Sequence, residues 1–113
     1  MLEFAVIASG FNVSGDVDLR QRKLDAIFVP TLGGSGTLAV QGNTDTTSAN
    51  FARMLESRAA GSGDLQFAVG VGSRWLPWPT TISQPAYARF EVITQVGSVQ
   101  TDNRTLTIVT RPR

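Results

Sequence analysis

Residues 86–94 read Ala-Tyr-Ala-Arg-Phe-Glu-Val-Ile-Thr, and their side chains alternate between apolar and polar. In an extended chain one face would carry Ala88, Phe90 and Val92, and the other Tyr87, Arg89 and Glu91. Alternation with a period of two is typical of a β-strand with one buried face. This stretch therefore predicts a strand, and the same pattern recurs along the chain.

Similar alternation predicts strands near residues 2–7, 16–20, 37–41, 65–69 and 105–110. Inward residues are expected to be Leu38, Val40, Leu106 and Ile108. Residues 24–29 are more uniformly apolar, with Leu24, Ala26 and Phe28 on one side and Ile27 and Val29 on the other. That pattern predicts a central strand buried on both faces. Residues 50–56 fit either a helix or a strand, and we favour a strand.

Turn residues separate these segments every eight to twelve positions, which favours about eight short strands over alternating βαβ units. We predict an all-β fold, a single antiparallel β-sandwich domain over residues 1–113, jelly-roll-like in architecture. The pattern does not distinguish a jelly roll from an immunoglobulin-like topology. Short terminal segments, 1–4 and 111–113, are expected to act as contact arms, with Pro112 holding its segment outside the sheet.

The composition excludes several functions. The 113 residues carry a net charge of +1 and contain no cysteine and no histidine. Disulfides and Cys/His zinc sites are therefore excluded, and no overall field would steer the chain onto nucleic acid. No segment approaches the ~18–20 apolar residues of a membrane span. The N-terminus lacks the pattern of a signal peptide. We expect no nucleic-acid or membrane partner.

Few side chains suit catalysis. Asp16 and Asp18 are two residues apart and would share a face of a strand, where they could hold Ca²⁺ or flank a glycosidic bond. The alternative is a solvent-facing edge whose charges discourage aggregation, and this is the interpretation we favour. We therefore predict a protein that is not an enzyme, without catalytic residues, cofactor or metal.

Two clusters are candidates for contact with a partner. Trp75 and Trp78 lie beside Pro77 and Pro79, and could cap the core or form an interface anchor or sugar-stacking platform, with Tyr87 as a third ring. Arg20, Arg22 and Lys23 form a basic cluster. This cluster is either a solvated turn or a contact with acidic residues of a neighbouring subunit.

The order of segments resembles that of small phage virion proteins. The resemblance lies in Ser14-Gly15-Asp16-Val17-Asp18-Leu19, Leu24-Asp25-Ala26-Ile27-Phe28-Val29-Pro30, Leu38-Ala39-Val40-Gln41-Gly42, Ala86-Tyr87-Ala88-Arg89-Phe90-Glu91-Val92 and Asp102-Asn103-Arg104-Thr105-Leu106-Thr107-Ile108-Val109-Thr110. It covers residues 14–110 and consists of strands and turns, without a catalytic motif. The chain has no long terminal arm and no fibre segment, which leaves its position on a particle open.

The resemblance implies a capsid decoration (cement) protein that binds the outside of a phage head and bridges capsomers. Its implied partners are the major capsid protein and further copies of itself, as a homodimer or homotrimer. Its implied location is the virion, after synthesis in the host bacterial cytoplasm. The alternative is a carbohydrate-binding or adhesive module of a phage fibre, with surface glycans as partners. The predicted interface residues are Met1, Leu2, Phe4, Arg20, Arg22, Lys23, Trp75, Trp78, Arg111 and Arg113.

Overall fold

The computed structural model describes residues 2–31, 36–55, 63–68, 73–79, 82, 84–94, 100 and 102–113. Strands dominate these residues, which confirms the all-β prediction. They are β1 (Leu2–Ile7), β2 (Val17–Asp18), β3 (Arg22–Val29), β4 (Gly36–Asn43), β5 (Ala52–Arg53), β6 (Gln66–Ala68), β7 (Arg74–Pro77), β8 (Tyr87–Thr94) and β9 (Arg104–Pro112). A short 3₁₀ turn, Ser48–Asn50, precedes β5.

The strands form two antiparallel sheets. The first sheet has the order β1-β9-β3-β7. The second has the order β2-β8-β4-β5, and β6 pairs with β4 beyond the end of β5. Strands distant in sequence are therefore neighbours in space, as in the pairing of β1 with β9 and of β2 with β8.

One hydrophobic core lies between the sheets and gives the fold its sandwich-like form. The first sheet contributes Ala5, Ile7, Leu24, Ile27, Val29, Leu106 and Ile108, and the second contributes Val17, Leu38, Val40, Ala88, Phe90 and Val92. The inward positions predicted for β4, β8 and β9 are confirmed, because side chains of a strand alternate between the faces of its sheet.

A β-bulge in β3 changes which side chains face the core. The register with β9 shifts between Leu24 and Ala26, so that Leu24 and Ile27 both point inward. Phe28 points outward and is 37% exposed. The prediction that Leu24 and Phe28 share a face was therefore wrong, because a bulge inserts one extra residue into the alternation. The predicted burial of both faces of β3 is also wrong for the isolated chain.

The Gln84 side chain stabilises the bulged part of β3. The partner strand β7 ends at Pro77, opposite Ala26. Just beyond that point, the Gln84 amide accepts a hydrogen bond from the Leu24 N–H at 2.8 Å and donates one to the Leu24 carbonyl at 3.0 Å. The amide thus replaces a strand neighbour and satisfies both backbone groups of Leu24.

Both terminal segments lie in the first sheet. Leu2 to Phe4 form the start of β1 and pair with β9, while Met1 lies outside the described residues. At the C-terminus of the chain, Arg111 pairs with Lys23 and Pro112 pairs with Arg22, both in β3. The prediction that Pro112 stays outside the sheet was therefore wrong. Among the described residues, the part of β9 beyond Val109 pairs with β3 alone, which explains how a proline is accommodated there.

Within the ambiguous segment 50–56, the described residues form a strand at Ala52–Arg53, and Asn50 belongs to the 3₁₀ turn. Glu56 lies outside the described residues. The strand predicted at 65–69 is present as β6, with Val69 outside the described residues. Residues 74–77, for which no strand was predicted, form β7 at the edge of the first sheet, where prolines are tolerated.

Candidate functional site: two unlike outer faces

The outer face of the second sheet is polar, and its charges are paired with one another. Arg53 forms two hydrogen bonds with the Glu91 carboxylate, at 2.9 and 2.7 Å, and lies 3.3 Å from Asp64. Gln41 donates a further hydrogen bond to Glu91 at 2.9 Å. The hydrogen bonds from Arg53 lower the pKa of Glu91 below its usual value, although partial burial opposes this effect. These charges are satisfied within the chain.

A second charged cluster lies next to the first on the same face. The Arg89 guanidinium pairs with Asp16 and donates to the Ser48 hydroxyl at 3.0 Å. It also lies over the Phe51 ring, 4.1 Å from the centroid. Such a contact stabilises a cation through the negative face of the ring. The charged side chains described for this face therefore form a network of internal contacts.

The outer face of the first sheet has the opposite character. Opposite residues of antiparallel strands share a face, so the register places Phe4, Thr107, Phe28 and Trp75 in one row across all four strands. A second row contains Leu2, Val109, Ala26 and Pro77. With Val6 and Thr105, these ten residues form what we call the apolar face. None of them is charged.

Large apolar side chains on this face are open to solvent. Phe4 is 63% exposed, Trp75 58% and Leu2 56%. The Phe28 and Trp75 rings are 5.8 Å apart, centroid to centroid, and are tilted by 49°. Scattered exposed apolar residues are ordinary, but a contiguous patch of this kind typically marks an interaction surface.

The basic residues predicted as contacts meet at one end of the first sheet. The antiparallel pairing of β3 with β9 puts Lys23 opposite Arg111, although they are far apart in sequence. The backbone N–H of Arg113 donates to the Gln21 carbonyl, and its Nε donates to the Leu19 carbonyl. This end of the sheet carries Arg22, Lys23, Arg111 and Arg113, and Arg20 lies just before β3 in the chain. We call these five residues the basic end.

Some charges of the basic end are compensated locally. Arg20 makes a two-pronged contact with Asp18, at 3.1 and 2.9 Å, and Arg111 lies 3.6 Å from Asp25. The Arg22 side chain donates to the Thr110 hydroxyl at 2.7 Å. The structure therefore joins the predicted basic cluster to the C-terminal residues, although the two groups are far apart in sequence.

The three candidate aromatic residues do not form one platform. Trp75 lies on the apolar face, whereas Trp78 is only 7% exposed and packs in the core. Tyr87 is on β8 of the second sheet, with the Arg20 guanidinium 5.2 Å from its ring centroid. Trp78 is therefore a core residue in the isolated chain, which agrees with the capping interpretation for this tryptophan but not for Trp75.

A pocket of about 250 Å³ lies beside Trp78. Its lining includes Lys23, Asp25, Gln84 and Arg111. Gln84 is already engaged with the β3 backbone, and Asp25 lies near Arg111. The polar groups of this pocket thus mainly contact one another.

Asp16 and Asp18 are each paired with an arginine, Asp16 with Arg89 and Asp18 with Arg20. Hydrogen bonds from Arg20 lower the pKa of Asp18, which is the opposite of what a general acid requires. Across the described residues, no group of three or more acidic, cysteine or histidine side chains could share a metal ion. In the same residues, no helix is long and apolar enough to cross a bilayer.

Leu2, Phe4 and Trp75 were expected from the sequence to be contact residues, whereas Phe28, Val6 and the β9 residues between them were not. Two signals were available. In β1, apolar side chains occur on both faces, with Leu2, Phe4 and Val6 on the outer face and Ala5 and Ile7 on the inner face. The sequence of β3 likewise predicts a strand buried on both faces. Only the register shows that these residues form one surface.

No protein-family model matches this chain. No curated protein matches it either. The features of this chain that bear on its function are the two outer faces and the basic end.

Proposed function

We propose that this chain is a structural virion protein, a capsid decoration (cement) protein that binds the outside of a phage head and bridges its capsomers. The observation that carries the proposal is the apolar face, an uncharged surface extending across all four strands of the first sheet. Exposed surface of this kind is usually covered by another protein. A protein whose work is subunit contact needs such a surface and needs no catalytic cleft.

We also infer that the two sheets form a jelly roll. The supporting observation is the pairing of β1 with β9, β2 with β8, β3 with β7, and β4 with β5 and β6. If β5 and β6 are counted as one interrupted strand, the first strand pairs with the last, the second with the second-last, and so on towards the middle of the chain. Such a pairing pattern arises when one long antiparallel ribbon folds over on itself. Jelly rolls of this kind occur in viral coat proteins and lectins. The fold is therefore compatible with a virion role but does not establish it.

In this proposal the basic end contacts acidic surface on the capsid. Lys23 is exposed, and Arg111 and Arg113 lie beside it at the end of the first sheet. Contacts between exposed opposite charges are individually weak, about 0–1 kcal/mol each. A decoration protein engages several capsid subunits at once, so weak contacts combine into firm attachment. Binding then stabilises the shell, because it favours the assembled state.

The test is co-sedimentation of the purified chain with empty heads of the phage that encodes it. We expect saturable binding that weakens as salt is raised, because exposed charges are screened. Lys23→Glu should weaken binding severalfold. Arg74→Glu is the matched control, since it makes the same charge change at the far end of β3, roughly 20 Å away. Failure of the wild-type chain to sediment with heads would refute the proposal.

The alternative, a carbohydrate-binding module, makes a different prediction. The platform of three aromatic rings is not assembled, so stacking would depend on Trp75 and its neighbour Phe28. Titration with bacterial surface oligosaccharides should leave the tryptophan fluorescence unchanged under the capsid proposal. A saturable change that disappears in Trp75→Phe would instead support glycan binding.

A further inference from the structure

We propose that two copies of this chain pack through their apolar faces, sheet against sheet, about a twofold axis. The inference rests on the assembly role proposed above and names the occupant of the apolar face as a second copy. Three observations lead to it: the area of the face, its lack of charge, and the sequence of β3.

The area of the apolar face matches half of a small dimer interface. The exposed large side chains are Leu2, Phe4, Val6, Phe28 and Trp75, at 56, 63, 45, 37 and 58% exposure. With about 150–250 Å² for each aromatic side chain, they expose roughly 500 Å² together. The β9 residues between these side chains and the residues at the margin of the face add further exposed area. The total approaches the ~600–800 Å² that each partner buries in a specific interface.

The distribution of charge favours a copy of the same chain as the partner. A twofold interface brings the same patch together from both subunits, so a charged patch would oppose its own charge. The apolar face has no charge to repel its counterpart, and none to select a partner of opposite sign. Lys23, Asp25 and Arg111 carry mixed charge and lie at its margin. An uncharged centre rich in aromatic side chains is typical of interface cores.

The sequence of β3 also fits a covered face. This strand lies inside the first sheet, between β9 and β7, and has large apolar residues on both faces. Such a pattern is typical of strands buried on both sides. The core covers Ile27 and Val29, while Phe28 remains partly exposed. A second sheet packed about 10 Å away, at an angle near −30°, would cover it.

The first test measures the mass of the isolated chain by sedimentation equilibrium at micromolar concentration, where we expect a dimer. Phe4→Lys should weaken the dimer by roughly a hundredfold or more, because each subunit loses an aromatic anchor and gains a charge. Phe11→Lys is the matched control: Phe11 is also 63% exposed but lies off the apolar face, between β1 and β2. A monomeric wild-type chain, or equal effects of both substitutions, would overturn the proposal.

A second variant distinguishes face packing from pairing of β1 edges. Trp75 lies on β7, three strands from β1 and roughly 14 Å away. Trp75→Lys should therefore abolish a face-packed dimer, whereas a dimer joined only through β1 would persist and contradict the proposal. The chain has two tryptophans, and Trp78 is already buried. Dilution of the wild-type dimer should thus red-shift the emission of Trp75, and Trp75→Phe should remove that shift.

A third test asks whether the partner is a second copy. Thr107 lies in the central row of the apolar face, on β9 between Phe4 and Phe28. Thr107→Lys and Thr107→Glu should each be monomeric, because like charges would meet across the axis, and an equimolar mixture should form a heterodimer. If either variant alone remains a dimer like the wild type, the interface lies elsewhere and the proposal is overturned. If each variant is monomeric and the mixture also stays monomeric, Thr107 does not meet its own counterpart and the twofold packing is overturned. Circular dichroism of each variant verifies that the fold is retained.

The outcomes separate this inference from the proposed function. Dimer formation is measured on the isolated chain, whereas the decoration role is measured by sedimentation with heads. A wild-type monomer that binds heads overturns the dimer and leaves the decoration role standing. A wild-type dimer that does not bind heads overturns the decoration role and leaves the dimer standing.

Discussion

Truncation of Phe90 to alanine is expected to destabilise the fold by about 3–5 kcal/mol. Phe90 lies in β8, opposite Val40, and its side chain is 0% exposed. Removal of the ring loses about 1.5–3 kcal/mol of transfer free energy, and the residual cavity adds roughly 24 cal/mol per Å³. A domain of this size is stable by about 5–15 kcal/mol, so the loss should be large but compatible with folding.

The matched control is Phe4→Ala, because Phe4 has the same side chain at 63% exposure. We expect a change within about 0.5 kcal/mol in the stability of the monomer. Urea unfolding of both variants, followed by the fluorescence of the buried Trp78, measures the difference. The experiment needs dilute protein, because dimer formation would add concentration-dependent stability. Equal losses in the two variants would refute the assignment of inner and outer faces.

Three further substitutions, two at side-chain contacts and one at a backbone turn, are measured by urea unfolding. Gln84→Ala should cost about 1–2 kcal/mol, because it leaves a backbone N–H and C=O of β3 without their partner; a neutral result would contradict that role. Glu91→Gln should cost about 1 kcal/mol at pH 7. Since Arg53 lowers the pKa of Glu91, this contribution is complete above its usual pKa of 4.5 and is lost as the pH falls through the folded-state value. The difference between wild type and Glu91→Gln should therefore shrink in acid, and a constant difference would argue against the ion pair. Gly10→Ala should cost about 1 kcal/mol, because Gly10 has a φ of +86°. Gly15→Ala, at a glycine without positive φ, is its control and should be nearly neutral.

The electrostatic contrast between the two outer faces explains where assembly can occur. On the second sheet, Arg53 and Arg89 are held by Glu91 and Asp16, so a partner would have to displace internal contacts. On the first sheet, Phe4 and Trp75 are largely open to solvent. A partner there gains burial of apolar surface without breaking an ion pair.

The class of fold and most of the core could be predicted from the amino-acid pattern alone. Alternation with a period of two places Leu38, Phe90 and Ile108 on inward faces, because successive side chains of a strand point to opposite sides. It failed at β3, because a bulge leaves no mark in the hydrophobic pattern and changes which residues face inward. The prediction that Pro112 stays outside the sheet was also wrong, because a proline is excluded only from strand positions that need a backbone N–H.

The residues that form a common surface could not be predicted in the same way, because they are brought together by strand pairing. Phe4, Phe28 and Trp75 are far apart in sequence, and the order β1-β9-β3-β7 brings them into one row. Likewise, the pairing of β3 with β9 joins Lys23 to Arg111 at the basic end. Hydrophobic periodicity is a local property, and within an uninterrupted strand it predicts which face of the sheet each residue occupies. Neighbourhood depends on long-range pairing and register, which no local pattern records.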